Sequence, residues 1–276
     1  MEQMIEISGI PIDNLTADEA LALIDRTIAS GKKSHWATVN PEMILHASKD
    51  PAFHNLLRNV SVRTPDGIGI LWAAHYMQSK PSPSAIVSRF QWLISLVSIL
   101  FFPRYVRDPL RERVTGTDLM SKIADFSQKR DWTLFFLGAG EGIADKAIEH
   151  LSIAYPKARF VGSFPGSPKP EDYEAIVQRI NLAQPTLLFV AFGSPAQEQW
   201  IQKNLVRLPS VRVAIGVGGA FDFHAGVIRR APERFQKVGL EWLWRLFREP
   251  RRLGRIWNAA VVFPSLIYQQ KRFGHR

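Results

Sequence analysis

An α/β fold, with a mostly parallel sheet covered by helices on both faces and a basic helical appendage at the C-terminus, is what this sequence predicts. Three observations carry that expectation. Short apolar runs alternate with stretches of helical period along most of the chain, the pattern of a parallel sheet buried on both sides. Glycine, proline and small polar residues punctuate the points where a strand would end and a helix begin, as turn chemistry requires. The basic residues gather at the end: positions 227–276 hold 12 Lys+Arg against 3 Asp+Glu.

In chain order, Met4–Ile10 reads as a strand. Thr16-Ala-Asp-Glu19 is a capping box that opens a helix through Ala29, closed by Gly31. His35–Val39 is a strand, and Asn40-Pro41 starts the next helix with proline at its tolerated first position. Val60 and Val62 end a buried strand, Thr64-Pro65-Asp66-Gly67 turns sharply, and Ile68, Ile70, Leu71 and Ala74 recur at helical spacing. Beyond an irregular insertion come a helix (Thr117–Gln128), a strand (Thr133–Leu137), a helix (Ile143–Ala154) and a strand (Arg159–Gly162). A helix (Glu171–Ala183), a strand (Thr186–Phe192), a helix from Gly193-Ser-Pro195 to Leu205 and a strand (Val211–Val217) complete the alternation. Residues 1–226 are thus expected to form the core, with an apolar and basic insertion at about 81–110, and 227–276 the appendage.

With 276 residues, 46% of them hydrophobic and 22% charged, the chain can bury a large core. It has no cysteine, which excludes disulfides and thiolate metal sites. The N-terminus lacks the basic and apolar regions of a signal peptide. Residues 80–113 hold 6 Lys+Arg against 2 Asp+Glu, so the net charge of +10 comes from two segments, the remainder being 17 against 20. Both segments also carry uncharged aromatic runs. Phe90–Phe102 has 13 residues without charge, flanked by Arg89, Arg104 and Arg107, and is shorter than the ~20 residues of a spanning helix. It suits either a buried core helix or an interfacial one whose cations meet lipid phosphates. Ile256–Tyr268, between Arg251-Arg252, Arg255 and Lys271-Arg272, repeats the pattern.

Five stretches could carry chemistry. Asp66 falls at the C-terminal end of a strand, the edge where open α/β sheets bind ligands; the plainer alternative is that it caps the following helix. Gly138-x-Gly140-x-Gly142 lets backbone N–H groups approach a phosphate, yet it is not the full dinucleotide fingerprint, and no acidic residue ends the next strand to grip a ribose. Gly193-Ser-Pro-Ala-Gln197 reads as a capping box on Ser194 or as a second ligand-facing loop. Gly216–Gly226 holds three glycines in four residues and then Asp222 between two phenylalanines. That carboxylate needs donors, from a ligand or from nearby amides and arginines. His224 reads as structural. Arg245, Arg248, Arg252 and Arg255 are spaced for one helical stripe, which Pro250 interrupts. It is a solvated basic face or, being arginine rather than lysine, a phosphate clamp. There is no Asp-x-Asp, no His-x-x-x-His, no Walker loop and no Gly-x-Ser-x-Gly.

Collected in order, these blocks resemble the WecG/TagA/CpsF family of glycosyltransferases, in the manner of an N-acetylmannosaminyltransferase. The matching segments are Thr38-Val-Asn40-Pro-Glu-Met, Thr64-Pro-Asp66-Gly-Ile-Gly, Glu112-Arg-Val-Thr-Gly116-Thr-Asp118-Leu, Phe136-Leu-Gly-Ala-Gly and Ala191-Phe-Gly-Ser-Pro-Ala-Gln-Glu198, followed by Gly216–Gly226, Arg230-Ala-Pro232 and Gly239-Leu-Glu-Trp-Leu-Trp-Arg-Leu. The resemblance implies a Rossmann-like sheet and transfer of an N-acetylmannosamine-type sugar from a UDP donor to a polyprenyl-diphosphate-linked saccharide. The setting it implies is cell-surface polysaccharide synthesis on the cytoplasmic face of the plasma membrane. It assigns Asp66 as general base, Arg245, Arg252 and Arg255 to the diphosphate, Thr38 and Asn40 to the donor pocket and Asp222 to the uracil. Arg113, Gly138, Gly140, Gly193, Gln197 and Gly218 complete the expected substrate-binding set. No metal and no cofactor is expected. The expected partners are the two substrates and a membrane surface met peripherally, not nucleic acid, with homo-oligomerisation left open. The segment Pro81–Leu110 departs from the family by being longer and more apolar. A nicotinamide-dependent oxidoreductase and a basic nucleic-acid-binding module are the alternatives.

Overall fold

The computed structural model describes residues 5–80, 82–101, 105–229, 231–232 and 253–274. Its centre is a six-stranded sheet in which every pairing is parallel, made of β3 (Ser34–Val39), β4 (Val62–Pro65), β5 (Thr133–Gly138), β6 (Arg159–Phe164), β7 (Leu187–Ala191) and β8 (Val213–Gly216), in the order β4-β3-β8-β7-β5-β6. Five of the six strands are wholly buried, as a sheet covered on both sides demands, β5, β7 and β8 being almost entirely apolar while β3 and β4 bury polar side chains such as His35 and Arg63; the edge strand β6 is half-buried.

On one face, Trp36, Leu134, Phe136, Phe189 and Ile215 pack against α1 (Ala17–Ala29), α6 (Gly116–Ser127), α7 (Ile143–Ala154) and the short α10 (Ala220–His224). On the other, Phe135, Leu188, Val190 and Ala214 meet α8 (Tyr173–Ala183) and α9 (Ala196–Asn204). Beside them Ala37 and Val39 meet α2 (Pro41–Ala47), α3 (Pro51–Asn59) and α4 (Ile68–Gln78). The caps follow the sequence closely. Thr16 and Glu19 form the reciprocal box on α1, Asn40 accepts from Met43 N at 3.1 Å, and Asp50 caps α3, a helix the sequence reading did not separate from α2.

The expected first strand is instead a hairpin. Ser8 and Gly9, both at positive φ, turn β1 (Ile5–Ile7) back on β2 (Ile10–Ile12), the geometry that matches the twist of two-residue hairpins. All four flanking isoleucines reach the core beside α3 and α4.

The insertion is a 17-residue helix, α5 (Ala85–Phe101), with one face against the core and the other exposed. Trp92, Leu96 and Ile99 pack toward the core, while Phe90, Leu93, Ile94 and Val97 are about half exposed or more. These positions alternate between two faces at helical spacing. No helix among the described residues is long and apolar enough to cross a membrane. At the far end, α11 (Leu253–Trp257), a π-helical turn (Asn258–Val262) and α12 (Phe263–Phe273) run on from one another. Phe263 and Ile267 are fully buried in the α2–α4 cluster, so the end of the basic segment is part of the core.

Candidate active site

A cavity of about 820 Å³ opens where β3, β4 and β8 end, between the loop after β7 and a wall of α5, α11 and the π-helical turn. Thr38 and Asn40 reach it from β3, and Asp66 from β4. Gly193 and Gln197 come from the loop and helix after β7, and Gly218 from the turn after β8. Arg113 and Arg255 also line it, so eight of the residues nominated from sequence converge on one space.

Each is placed by a local cause. Asp66 is anchored by its backbone, whose N–H donates to Val39 O at 2.8 Å across the β3–β4 pair. The N-cap of α4 is Gly67, at φ +100, rather than Asp66, and Asp66 stands half-buried on the cavity. The N-cap position itself is thus taken by glycine, because the chain needs a positive φ there and only glycine takes it cheaply. Thr38 Oγ1 donates to Gly216 O at 2.9 Å and ties β3 to β8 at the cavity floor. Asn40 spends its side-chain oxygen on the α2 cap.

Ser194 does not form the expected capping box: the N-cap of α9 is Pro195, without a side-chain bond. Gln197 turns inward instead. Its Oε1 accepts from Gly218 N at 3.0 Å, and its Nε2 donates to Glu198 Oε1 at 2.7 Å. Gly216 allows this, since a Cβ there would lie 2.7 Å from both side chains. Glu198 is completely buried, and its Oε2 has no hydrogen-bond partner among the described residues. Burial pushes its carboxyl up to about 7, against hydrogen bonds from Gln197 and Ser194 that pull it down. The sequence reading quoted Glu198 without nominating it. A first-turn glutamate looks like a solvated helix residue, and only the packing of α9 on β8 removes it from water.

Three nominated residues fall elsewhere. Gly138 and Gly140 do not line the cavity. A Cβ at Gly138 would come within 2.8 Å of Ala191 C, and its φ is +101, so close approach of β5 and β7 accounts for this glycine where a phosphate was expected. Asp222 is half-buried with Oδ2 toward Gly219, while its neighbours diverge: Phe221 stacks on Phe136 in the core and Phe223 lines the cavity. Arg245 and Arg252 lie outside the described residues, as does Arg248. Arg255 is exposed and pairs with Glu42 of α2 at 3.5 Å, tying the C-terminal segment to the cavity rim. His224 Nε2 contacts Thr117 O at 3.1 Å, in keeping with a structural role.

The apolar wall is the feature sequence reasoning missed. Trp72, Leu96, Ile99, Ile256, Val262 and Pro264 border the same cavity as Asp66. One edge of the space is thus built for polar, charge-bearing chemistry and the other for hydrocarbon. The nominated carboxylate can accept a proton from a hydroxyl held beside it, and the guanidinium groups can face an anion.

The model described as the glycosyl transferase WecG/TagA/CpsF family matches residues 5–99 and 93–276. Among curated proteins the chain is similar to the N-acetylglucosaminyldiphosphoundecaprenol N-acetyl-beta-D-mannosaminyltransferase of Staphylococcus aureus strain MRSA252, 28% identical over 270 residues that cover 97% of this chain and 93% of that protein. Proteins of the same name from strains MW2 and NCTC 8325 / PS 47 match with the same identity and coverage.

Proposed function

Because the chain belongs to the WecG/TagA/CpsF glycosyl transferase family, we propose that it transfers an N-acetylmannosamine-type sugar from a UDP donor to a polyprenyl-diphosphate-linked saccharide, with inversion. The observation that carries the reading is Asp66 on a cavity at the strand ends, with Gly67 at the N-cap of α4. In the proposed step Asp66 takes the proton of the acceptor hydroxyl as that oxygen attacks the anomeric carbon. The bond from that carbon to the diphosphate breaks, and UDP departs with the electron pair. A positioned base of this kind is worth about 10²–10⁴ in rate. Arg113 and Arg255, among the described cations on the cavity with Lys49, face the departing diphosphate in this reading, joined by Arg245 and Arg252. Thr38, Asn40, Gln197 and the turns at Gly193 and Gly218 shape the donor pocket, and Asp222, next to Gly219 at the end of that turn, faces the uracil in this reading.

Residues 1–226 supply most of the catalytic core in this reading, and 227–276 serve as a membrane-proximal segment whose end packs back onto that core through Phe263 and Ile267. The exposed apolar face of α5, with Arg89 beside it, suits peripheral attachment to the cytoplasmic face of a membrane carrying the acceptor. The nicotinamide alternative loses its main support once Gly138 is accounted for by strand packing. The nucleic-acid alternative does not explain why the basic segments carry apolar surface.

The test is to incubate the protein with a panel of UDP-sugars and a short-chain polyprenyl-diphosphate saccharide, with and without EDTA, and to follow UDP release. Release that depends on both substrates is expected, and its persistence in EDTA supports a metal-independent transfer. No release with any donor would end the proposal.

A further inference from the structure

The cavity has two chemistries, and a sugar nucleotide accounts for only one of them. A UDP-sugar carries a charged diphosphate and many hydroxyls, and outside its uracil ring and sugar C–H faces it has no hydrocarbon. It has little to set against Trp72, Leu96, Ile99, Ile256, Val262 and Pro264, which border the cavity beside the strand ends. The polar atoms behind that wall are already satisfied internally. Trp72 Nε1 donates to Ser95 Oγ at 3.1 Å, Ser95 Oγ donates to Trp92 O at 2.7 Å, and Trp92 Nε1 donates to Pro264 O at 3.1 Å. Apart from Arg255 and Asn258 at its C-terminal side, what α5 and the C-terminal helices present to the cavity is therefore hydrocarbon, with the indole and hydroxyl donors of Trp72, Trp92 and Ser95 already engaged inside the protein.

Resting on the function proposed above, we propose that this wall is a binding site for the isoprenoid chain of the acceptor, taking the prenyl units nearest the diphosphate. Of the two substrates only the acceptor carries hydrocarbon, and it carries it next to the diphosphate. The same helix that supplies Leu96 and Ile99 to the wall turns Phe90, Leu93 and Ile94 outward to solvent. A lipid chain thus meets apolar side chains of α5 both inside the cavity and on its outer face. The insertion thus serves the lipid on both sides: its inner face recognises the substrate and its outer face meets the bilayer.

The experiment compares two soluble acceptors with the same saccharide diphosphate, one ending in a methyl group and one in a few prenyl units, without vesicles and below any micelle-forming concentration. Burying two methylenes is worth about tenfold in affinity, so kcat/KM of the wild-type protein should favour the prenylated acceptor by about tenfold or more. Leu96→Gln and Ile99→Gln should each cut that preference about tenfold, the methyl acceptor serving as the internal check that the variant is folded. Ile94→Ser, on the outer face, should weaken sedimentation with anionic lipid vesicles and leave the ratio between the two acceptors at its wild-type value. Equal kcat/KM for both acceptors in the wild-type protein would overturn the site. So would equal losses on both acceptors in the Leu96 and Ile99 variants. UDP release from neither acceptor would instead remove the glycosyl-transfer reading on which the site rests.

Discussion

Replacing Glu198 with glutamine should stabilise the protein above neutral pH and do progressively less as the pH falls. The carboxyl is fully buried, and its folded-state value stands at about 7 against an ordinary 4.5. Below pH 4.5 both the folded and the unfolded chain hold the proton, and the acid costs nothing. Between 4.5 and 7 the unfolded chain releases a proton that the folded one retains, so stability falls as pH rises. Above 7 the folded protein is ionised as well, and the loss levels off at about 3 kcal/mol. Glutamine has no proton to lose. The stability difference between Glu198→Gln and wild type should therefore grow by about 3 kcal/mol between pH 4.5 and pH 8. His35 acts in the opposite sense: burial holds its imidazole down at about 3, so its contribution is present above pH 6.5 and lost as pH falls toward 3. It is common to both proteins and cancels in the difference. Urea unfolding of the two proteins in parallel, at pH 5, 6, 7 and 8, measures the effect. A difference that stays flat across that series would show that the acid is not held protonated by burial, and the reasoning would fail.

Asp66→Asn should keep the fold, since the two side chains match in size, and lower kcat for UDP release by about 10²–10⁴; an unchanged rate would remove the base assignment. Phe263→Ala should cost about 3–5 kcal/mol in a denaturant melt, because the ring is fully buried and meets Trp72 edge-on at 6.4 Å. A cost under about 1 kcal/mol, the scale of an ordinary surface change, would place the C-terminal helix outside the core. Gly138→Ala should destabilise by about 2 kcal/mol or more through strain at φ +101 and contact with Ala191, with KM for the UDP-sugar unchanged. A raised KM without loss of stability would restore the phosphate-binding role instead.

Local chemistry made most of the fold legible. The Thr16–Glu19 box, the Asn40-Pro41 start and the Ile143–Ala154 helix stand where their caps and periods put them. These features depend on neighbours within a turn of the chain. The errors share the opposite character. Ser194 has every attribute of an N-cap, but Gln197 finds a better partner in Gly218 N, 21 residues away, and α9 opens one residue later than the box requires. Gly138 resembles a phosphate-binding glycine because close approach of a ligand and of another strand both call for a residue without a side chain. The sequence cannot distinguish them; the position of Ala191 supplies the second reason.

By itself, then, the sequence determined the alternation of strands and helices, the family, and the aspartate at the end of β4, because each is written in short-range pattern or in a string of motifs. Tertiary structure alone decided which nominated residues share a cavity, that Glu198 is out of water, and that α5 turns hydrocarbon both inward and outward. Those properties belong to the space between elements distant in the chain. Burial and convergence are set by how β3, β4, β8 and the C-terminal helices pack together, and no window of neighbouring residues carries that information.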